Sequence, residues 1–314
     1  LQKGIAMKEI TVPTGLHAWL LALRAYSLTA SVMPVLLAVG LARALDLDVS
    51  PWFAGLVVAT ALSLHLGTNL INDAVDLWKG VDRPGTTGGS GMLTNGALDP
   101  KSVFRVGMGF LVLAALVGIP VIMVRGWPVL VMGLLGALGG YAYTAGPGYK
   151  YKALGDLGVF ALMGPLLVVF SLYALTGVTE ASVLLRALAA SVPLGLLVTA
   201  ILAANNVRDF HDDAEAGIRT LAHVMGIRWA RRYVMMLFVL AFAVTLGIVL
   251  TGVTPWSVVL GLAAMVPAVG VLRDLVTSTD GLELGKRMVV ERTAKVHAVY
   301  GAFVFLSLMI WPKW

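Results

Sequence analysis

What most limits the folds open to this chain is a recurrence. Apolar runs of about 20 residues return nine times. They lie at roughly 18–42, 52–74, 103–124, 127–146, 156–177, 186–206, 230–251, 256–276 and 294–312. A helix of that length crosses the hydrocarbon core of a bilayer, and inside lipid each backbone polar group must find its partner within its own segment. The pattern therefore predicts an all-α, polytopic membrane protein with nine transmembrane helices in a single domain over residues 1–314. Composition agrees: 59% of residues are hydrophobic and 13% charged, where a soluble domain carries about 25% charged. Pro34, Pro165 and Pro193 fall within runs and are expected to kink them. The 35 glycines are expected to let helices approach closely. Residues 1–6 precede Met7 and are read as extraneous to the fold, and no cleavable signal is read there.

Nine spans make the connecting segments alternate between two sides. Nineteen of the 23 lysines and arginines then fall on one side, which holds the N-terminus and the 75–105, 150–152, 207–232 and 273–295 segments. The positive-inside rule makes that side cytoplasmic, in a multi-pass cell-membrane protein. The net charge of +6 is thus an orientation signal and a match for anionic lipid or an anionic substrate, with no nucleic acid implied. The absence of cysteine excludes disulfides and thiolate metal sites.

Two acidic clusters interrupt this apolar chain, each directly after a long run. The first is Asn69-Leu-Ile-Asn72-Asp73-Ala-Val-Asp76, with Asp82 six residues on; the second is Asn205-Asn206-Val-Arg208-Asp209-Phe-His-Asp212-Asp213. Carboxylates at membrane depth are costly and mark functional sites. On a helix, Asp73 and Asp76 share a face, as do Asp209 and Asp213. Four such carboxylates at one membrane face repel unless a cation neutralises them, and Mg²⁺ suits oxygen ligands while leaving positions for phosphate oxygens. A diphosphate bridged by Mg²⁺ is a much better leaving group. Asn72, Asp73, Asp76, Asp82, Asp209 and Asp213 are the candidate metal ligands. Asn72, Lys79, Arg83, Asn206, Arg208 and Arg219 are the candidate diphosphate contacts. A Gly-containing basic loop follows each cluster, so two similar half-sites are expected to face each other across the bundle.

Other residues carry two readings each. Arg24 is a diphosphate or carboxylate contact, or a positive-inside anchor. Tyr141, Tyr143, Tyr149 and Tyr151 are cation-stabilising faces or an interfacial belt. His65 and His297 are read first as packing residues and second as catalytic, and His211 and His223 as solvated. Gly88-Gly89-Ser90-Gly91 is an anion nest or a lid. No Walker, paired-histidine zinc or nucleophile-elbow motif is present.

Asn72-Asp73-x-x-Asp76 with the later Asp82, and Asp209-x-x-x-Asp213-x-x-x-Gly217, resemble the paired aspartate motifs of the UbiA superfamily of intramembrane prenyltransferases. Within it, Thr68-Asn69-Leu-Ile-Asn72-Asp73, Lys79-Gly80-Val-Asp82, Gly88-Gly89-Ser90, Leu98-Asp99-Pro100, Leu154-Gly155-Asp156 and Thr293-Ala294-x-x-His297 look like the 1,4-dihydroxy-2-naphthoate polyprenyltransferases of menaquinone biosynthesis. Gly80 stands where many relatives place the last aspartate of the first motif, and Asp82 serves instead, as in the naphthoate enzymes. The resemblance implies nine helices around a central cavity, Mg²⁺, an isoprenyl diphosphate donor and an aromatic acceptor, here 1,4-dihydroxy-2-naphthoate. It implies ionisation to an allylic cation, attack by the ring and loss of the ring carboxylate. It also raises Lys152 and Asp156 from a charge pair to site residues, with Tyr143 and Asp156 where acceptor meets prenyl. The cavity is expected to open sideways to lipid. Another acceptor (4-hydroxybenzoate or a glyceryl phosphate ether lipid) and, in a different class, a cation-coupled secondary transporter are the competing readings.

Overall fold

The structure is a computed structural model, and it describes residues 13–86 and 88–311. Lys3, Lys8 and Lys313, counted above in the charge asymmetry, lie outside the described residues. Among those described, nine helices are long and apolar enough to cross a membrane: Gly15–Ala44, Pro51–Trp78, Pro100–Arg125, Trp127–Thr144, Gly155–Thr176, Ala181–Arg208, Ile227–Leu250, Trp256–Thr277 and Val289–Ile310. They match the nine apolar runs in number and order. Several reach past the apolar run into polar sequence, since a helix ladder needs no hydrophobic side chain to continue. The second thereby carries Asn72, Asp73 and Asp76 inside a helix, and the sixth extends to Arg208.

The sixth span is the axis of the bundle. Two-thirds (67%) of its apolar stretch is buried, against 6% for the fourth, which lies at the rim. Small residues set the spacing. A Cβ on Gly164 of the fifth span would meet Gly195 Cα of the sixth at 2.5 Å, so those backbones touch. Gly40 of the first span likewise packs on the Leu308 side chain of the ninth, 3.0 Å from a notional Cβ.

All three span prolines lie inside helical segments. Pro165 sits in a π-helical turn, Leu162–Leu166, which absorbs the lost backbone bond. Helices run on through Pro34 and Pro193. The first span breaks elsewhere, at Arg24, which adopts the left-handed conformation with φ 50° between Gly15–Ala22 and the 3-10 turn Ala25–Leu28. Such a φ is unusual for a side chain this large.

The connections sort to two ends. At one, Arg125 donates to the carbonyls of Ala174 and Leu175 (3.2 and 2.6 Å) and Trp256 lies near Trp311. At the other, Lys79 donates to Thr144 O at 2.7 Å, Arg83 reaches Glu215, and the backbones of Lys152 and Arg219 form an isolated bridge. Both acidic clusters are at this second end, as the alternation of nine spans requires.

Candidate functional site: a carboxylate-lined mouth over an apolar cavity

In the first cluster Asn72, Asp73 and Asp76 are all buried near the end of the second span. Burying ionised carboxylates demands partners, and each aspartate draws one from a distant segment. Arg24 pairs with Asp73, which explains its strained backbone. Lys150 Nζ lies 2.7 Å from Asp76 Oδ2, and the Tyr151 hydroxyl donates to Asp76 Oδ1 at 2.5 Å. Burial alone would lower the Lys150 pKa, but Asp76 and the adjacent Tyr143 and Tyr151 outweigh it and hold the ammonium above the usual lysine range. The chain then turns back, with Val81 N and Asp82 N donating to Asp76 O (2.8 and 3.3 Å). Asp82 ends up beneath the glycine loop: a Cβ on Gly88 would sit 2.7 Å from Asp82 Oδ1, and Gly89 has φ +65°. Only glycine fits so close to a carboxylate. Ser90 N donates to Asp73 Oδ2 at 3.1 Å, so this loop already spends a backbone donor on the site's own anions.

The second cluster starts where the sixth span ends. Arg208 contacts both carboxylate oxygens of its neighbour Asp209 at 2.7 Å, and Asn205 Nδ2 donates to Asp209 Oδ2 at 3.0 Å. The helical ladder continues across the boundary, Asp213 N bonding to Asp209 O at 2.9 Å. The expected four-residue spacing on one face is therefore kept, with Asp213 buried in the short helix Phe210–Glu215.

The two clusters meet. The Cβ position of Gly88 that is 2.7 Å from Asp82 Oδ1 is also 3.7 Å from Asp209 Oδ2. Asp76, Asp82, Asp209, Asp212 and Asp213 all line the mouth of one cavity, with Arg24 and Lys150 on the same wall. Among the described residues, Asp82 and Asp213 have no direct ion pair; Lys150 acts on both at longer range, and Arg24 on Asp82 as well. Burial, then Asp76, raises the Asp82 pKa. Burial, with Asp209 opposing the pull of Lys150, pushes Asp213 up to about 7. No three carboxylates or imidazoles among the described residues are pre-clustered as a metal site. The donor set nonetheless suits a hard divalent cation: it is all oxygen, and buried Asn72 Oδ1 has no hydrogen-bond partner among the described residues.

Asn72, Asp76, Asp82, Asp209, Asp213, Tyr143 and Arg24 stand on the cavity wall as the sequence suggests. Other expected contacts do not. Lys79 is exposed and bound to the Thr144 carbonyl, over the Tyr151 ring. Arg83 is drawn off by Glu215 and the Asp212 carbonyl. Lys152 and Arg219 are exposed outside the mouth. Asp73 and Arg208 act one layer back, through Arg24 and Asp209. Asn206 turns from the cavity to Asp156 (3.3 Å), both buried, and the adjacent Asn205 takes the wall position. His223 is not solvated: it joins a capping box with Thr220 and contacts Phe210 O at 2.8 Å. The residue that sequence reasoning missed is Lys150. Its spacing from Asp76 carries no signal, and only the left-handed Gly148 before the turn Tyr149–Tyr151 hinted at a tight loop.

Below the mouth the cavity wall is mostly apolar. It shares Ala61, Leu64, Gly136, Leu162 and Leu167 with a second, almost wholly apolar cavity. That one opens between the third and fourth spans, where Leu116, Ile119, Leu130 and Leu134 are 45–58% exposed. The second cavity thus borders the outer face of the bundle, beside the first.

Known proteins share this arrangement. The family described as "UbiA prenyltransferase family" matches residues 31–310. The 1,4-dihydroxy-2-naphthoate octaprenyltransferase of Bacillus subtilis (strain 168) is 30% identical over 292 residues, covering 91% of this chain and 90% of that protein. UbiA prenyltransferase domain-containing protein 1 of Gallus gallus is 30% identical over 300 residues, 94% of this chain and 85% of that one. Among solved structures, a UbiA homolog from Archaeoglobus fulgidus bound to GPP and Mg²⁺ has a TM-score of 0.61 at 17% identity, over 93% of this chain and 99% of that one. That last likeness is one of fold.

Proposed function

The chain belongs to the UbiA prenyltransferase family and is a prenyltransferase; from that premise we propose that it joins a polyprenyl group, supplied as the diphosphate, to 1,4-dihydroxy-2-naphthoate. The reaction would depend on Mg²⁺ and release diphosphate and CO₂, giving demethylmenaquinol. One observation carries the reading: carboxylates from both clusters reach the same point beside Gly88, at the mouth of a cavity whose depth is mostly apolar. That pairs an ionic end with a hydrocarbon end, as the donor does.

Asn72, Asp76, Asp82, Asp209 and Asp213 would hold Mg²⁺, which supplies charge neutralisation for the departing diphosphate. Arg24 and Lys150, now paired with aspartates, stand where phosphate oxygens would enter. The ring face of Tyr143, on the wall just inside, meets the positive charge left on the prenyl group. The apolar wall keeps water from that cation. The ring carbon then bonds to the first prenyl carbon, the C–O bond having broken with its electron pair on diphosphate. Loss of the carboxylate as CO₂ returns an electron pair to the ring. The naphthoate acceptor draws its support from the Bacillus subtilis relative and from Asp82 in the Gly80-Val-Asp82 order.

An acceptor panel with labelled prenyl diphosphate, in detergent with Mg²⁺, tests the reading by product mass. Prenylated naphthalenediol is expected, and a prenylated 4-hydroxybenzoate or ether-lipid product would reassign the acceptor. The basic asymmetry supports a cytoplasmic mouth. Cysteines at Ser90 and Ala214 should be labelled from the cytoplasmic side, and labelling from outside intact cells would reverse the topology.

A further inference from the structure

Away from the carboxylates, the cavity carries a second polar patch that donor binding does not use. His65 lies on the second span seven residues before Asn72, roughly 10 Å deeper along the axis at 1.5 Å per residue. It is buried, with Nε2 3.1 Å from Ser27 Oγ and Nδ1 2.8 Å from Ser31 Oγ. Asn69 Nδ2 donates to the same Ser27 Oγ at 3.1 Å. All four side chains line the cavity, and around them its wall is Ala30, Ala61, Leu64 and Met163.

Hydrogen-bond arithmetic assigns the proton on this imidazole. Ser27 has one hydroxyl proton, and it goes to the Arg24 carbonyl at 2.9 Å. Ser27 Oγ must therefore accept from His65 as well as from Asn69, which places the ring proton on Nε2 and leaves Nδ1 an acceptor. The Ser31 hydroxyl fills Nδ1, yet it has Met163 Sδ within 4.0 Å as an alternative. Nδ1 can thus be released to an incoming donor without stranding Ser31.

The chemistry of the patch excludes two occupants. A prenyl tail has nothing to offer four polar side chains, and for a diphosphate the nearby cation, Arg24, is already paired with Asp73. A hydroxyl on a flat apolar body fits both the patch and its surroundings. We propose that His65 Nδ1 accepts a hydrogen bond from a ring hydroxyl of the aromatic acceptor, and that Ser27 positions the imidazole to do so. His65 thereby turns the ring toward the prenyl carbon and strengthens electron donation from its oxygen. The proton stays shared between oxygen and Nδ1, so no further co-reactant is required. This inference rests on the function proposed above.

The test separates the two. Purified protein with Mg²⁺ is first assayed for binding of geranyl diphosphate without acceptor. Transfer to 1,4-dihydroxy-2-naphthoate and to its mono-methyl ether is then measured. Wild type should disfavour the ether about tenfold, as expected for one lost buried hydrogen bond. His65→Ala should raise the acceptor KM about tenfold and no longer distinguish the ether. His65→Gln, which keeps an acceptor atom, should recover part of the loss, and Ser27→Ala should fall between. An unchanged acceptor KM and unchanged discrimination in His65→Ala overturn the proposal. If His65→Ala does not fold, Ser27→Ala decides by the same two readouts. Failure of wild type to bind geranyl diphosphate with Mg²⁺ would instead strike the donor reading.

Discussion

The two half-sites look alike in sequence and are built differently. In both, an asparagine four residues ahead of an aspartate lines the cavity with it, Asn72 with Asp76 and Asn205 with Asp209. They differ in how charge is balanced. Asp209 is neutralised by the next residue back, Arg208, so the second half-site is complete within one turn. Asp73 and Asp76 rely on Arg24 and Lys150, from the first span and from the loop between the fourth and fifth. The first half-site therefore exists only when three parts of the chain are packed, and it ties the assembly of the bundle to the assembly of the site.

The largest test asks whether the halves act as one unit. Asp76→Ala and Asp209→Ala should each cut transfer by about 10³-fold, and the double variant should be little worse than either alone. Near-normal turnover in one would show that a single half-site suffices. Next in size is the contrast of partners. Lys150→Met leaves Asp76 buried and uncompensated, a defect of about 3–5 kcal/mol. It should lower donor kcat/KM about 100-fold and raise hydrogen exchange across residues 145–154. Arg208→Met should lower kcat/KM while its own segment stays protected, because Gly281 packs directly on the Arg208 carbonyl. Equal exchange in the two variants would erase the distinction between local and distant neutralisation.

A smaller effect concerns the proton on Asp213. Divalent cations bind its ionised form, so with a pKa of about 7 the Mg²⁺ affinity should rise about tenfold from pH 6 to pH 8. Asp213→Asn should flatten that slope, and a wild-type titration without slope would place the proton elsewhere. The smallest contrast is between glycines. Gly88→Ala drives a methyl group against Asp82 and should cost several-fold in rate. Gly217→Ala, with φ +71° and open space around its Cβ, should cost only about 1–2 kcal/mol of stability, with the rate unchanged.

These contrasts also mark what was legible beforehand. The nine spans, their alternation and the pairing of the acidic clusters follow from hydropathy and rarity, which are properties of short windows. Asp209 with Arg208 is legible for the same reason. Lys150 is not: 74 residues separate it from Asp76, and nothing local distinguishes it from Lys152, which faces outward. Lys79 misled because closeness to Asp76 in sequence does not fix direction; a helix end carries it to the Thr144 carbonyl instead. The exchange of Asn206 for Asn205 is a 100° rotation on the sixth span, a difference that periodicity alone does not settle when both neighbours are polar.

Under the proposed function, the side cavity between the third and fourth spans would make the bilayer the solvent of the reaction. A prenyl chain that enters there never crosses water, so its encounter with the enzyme is governed by its mole fraction among lipids rather than by moles per litre. Adding lipid or detergent at fixed enzyme and donor should then slow turnover by surface dilution. Removing water from the same preparation should leave the rate per enzyme unchanged.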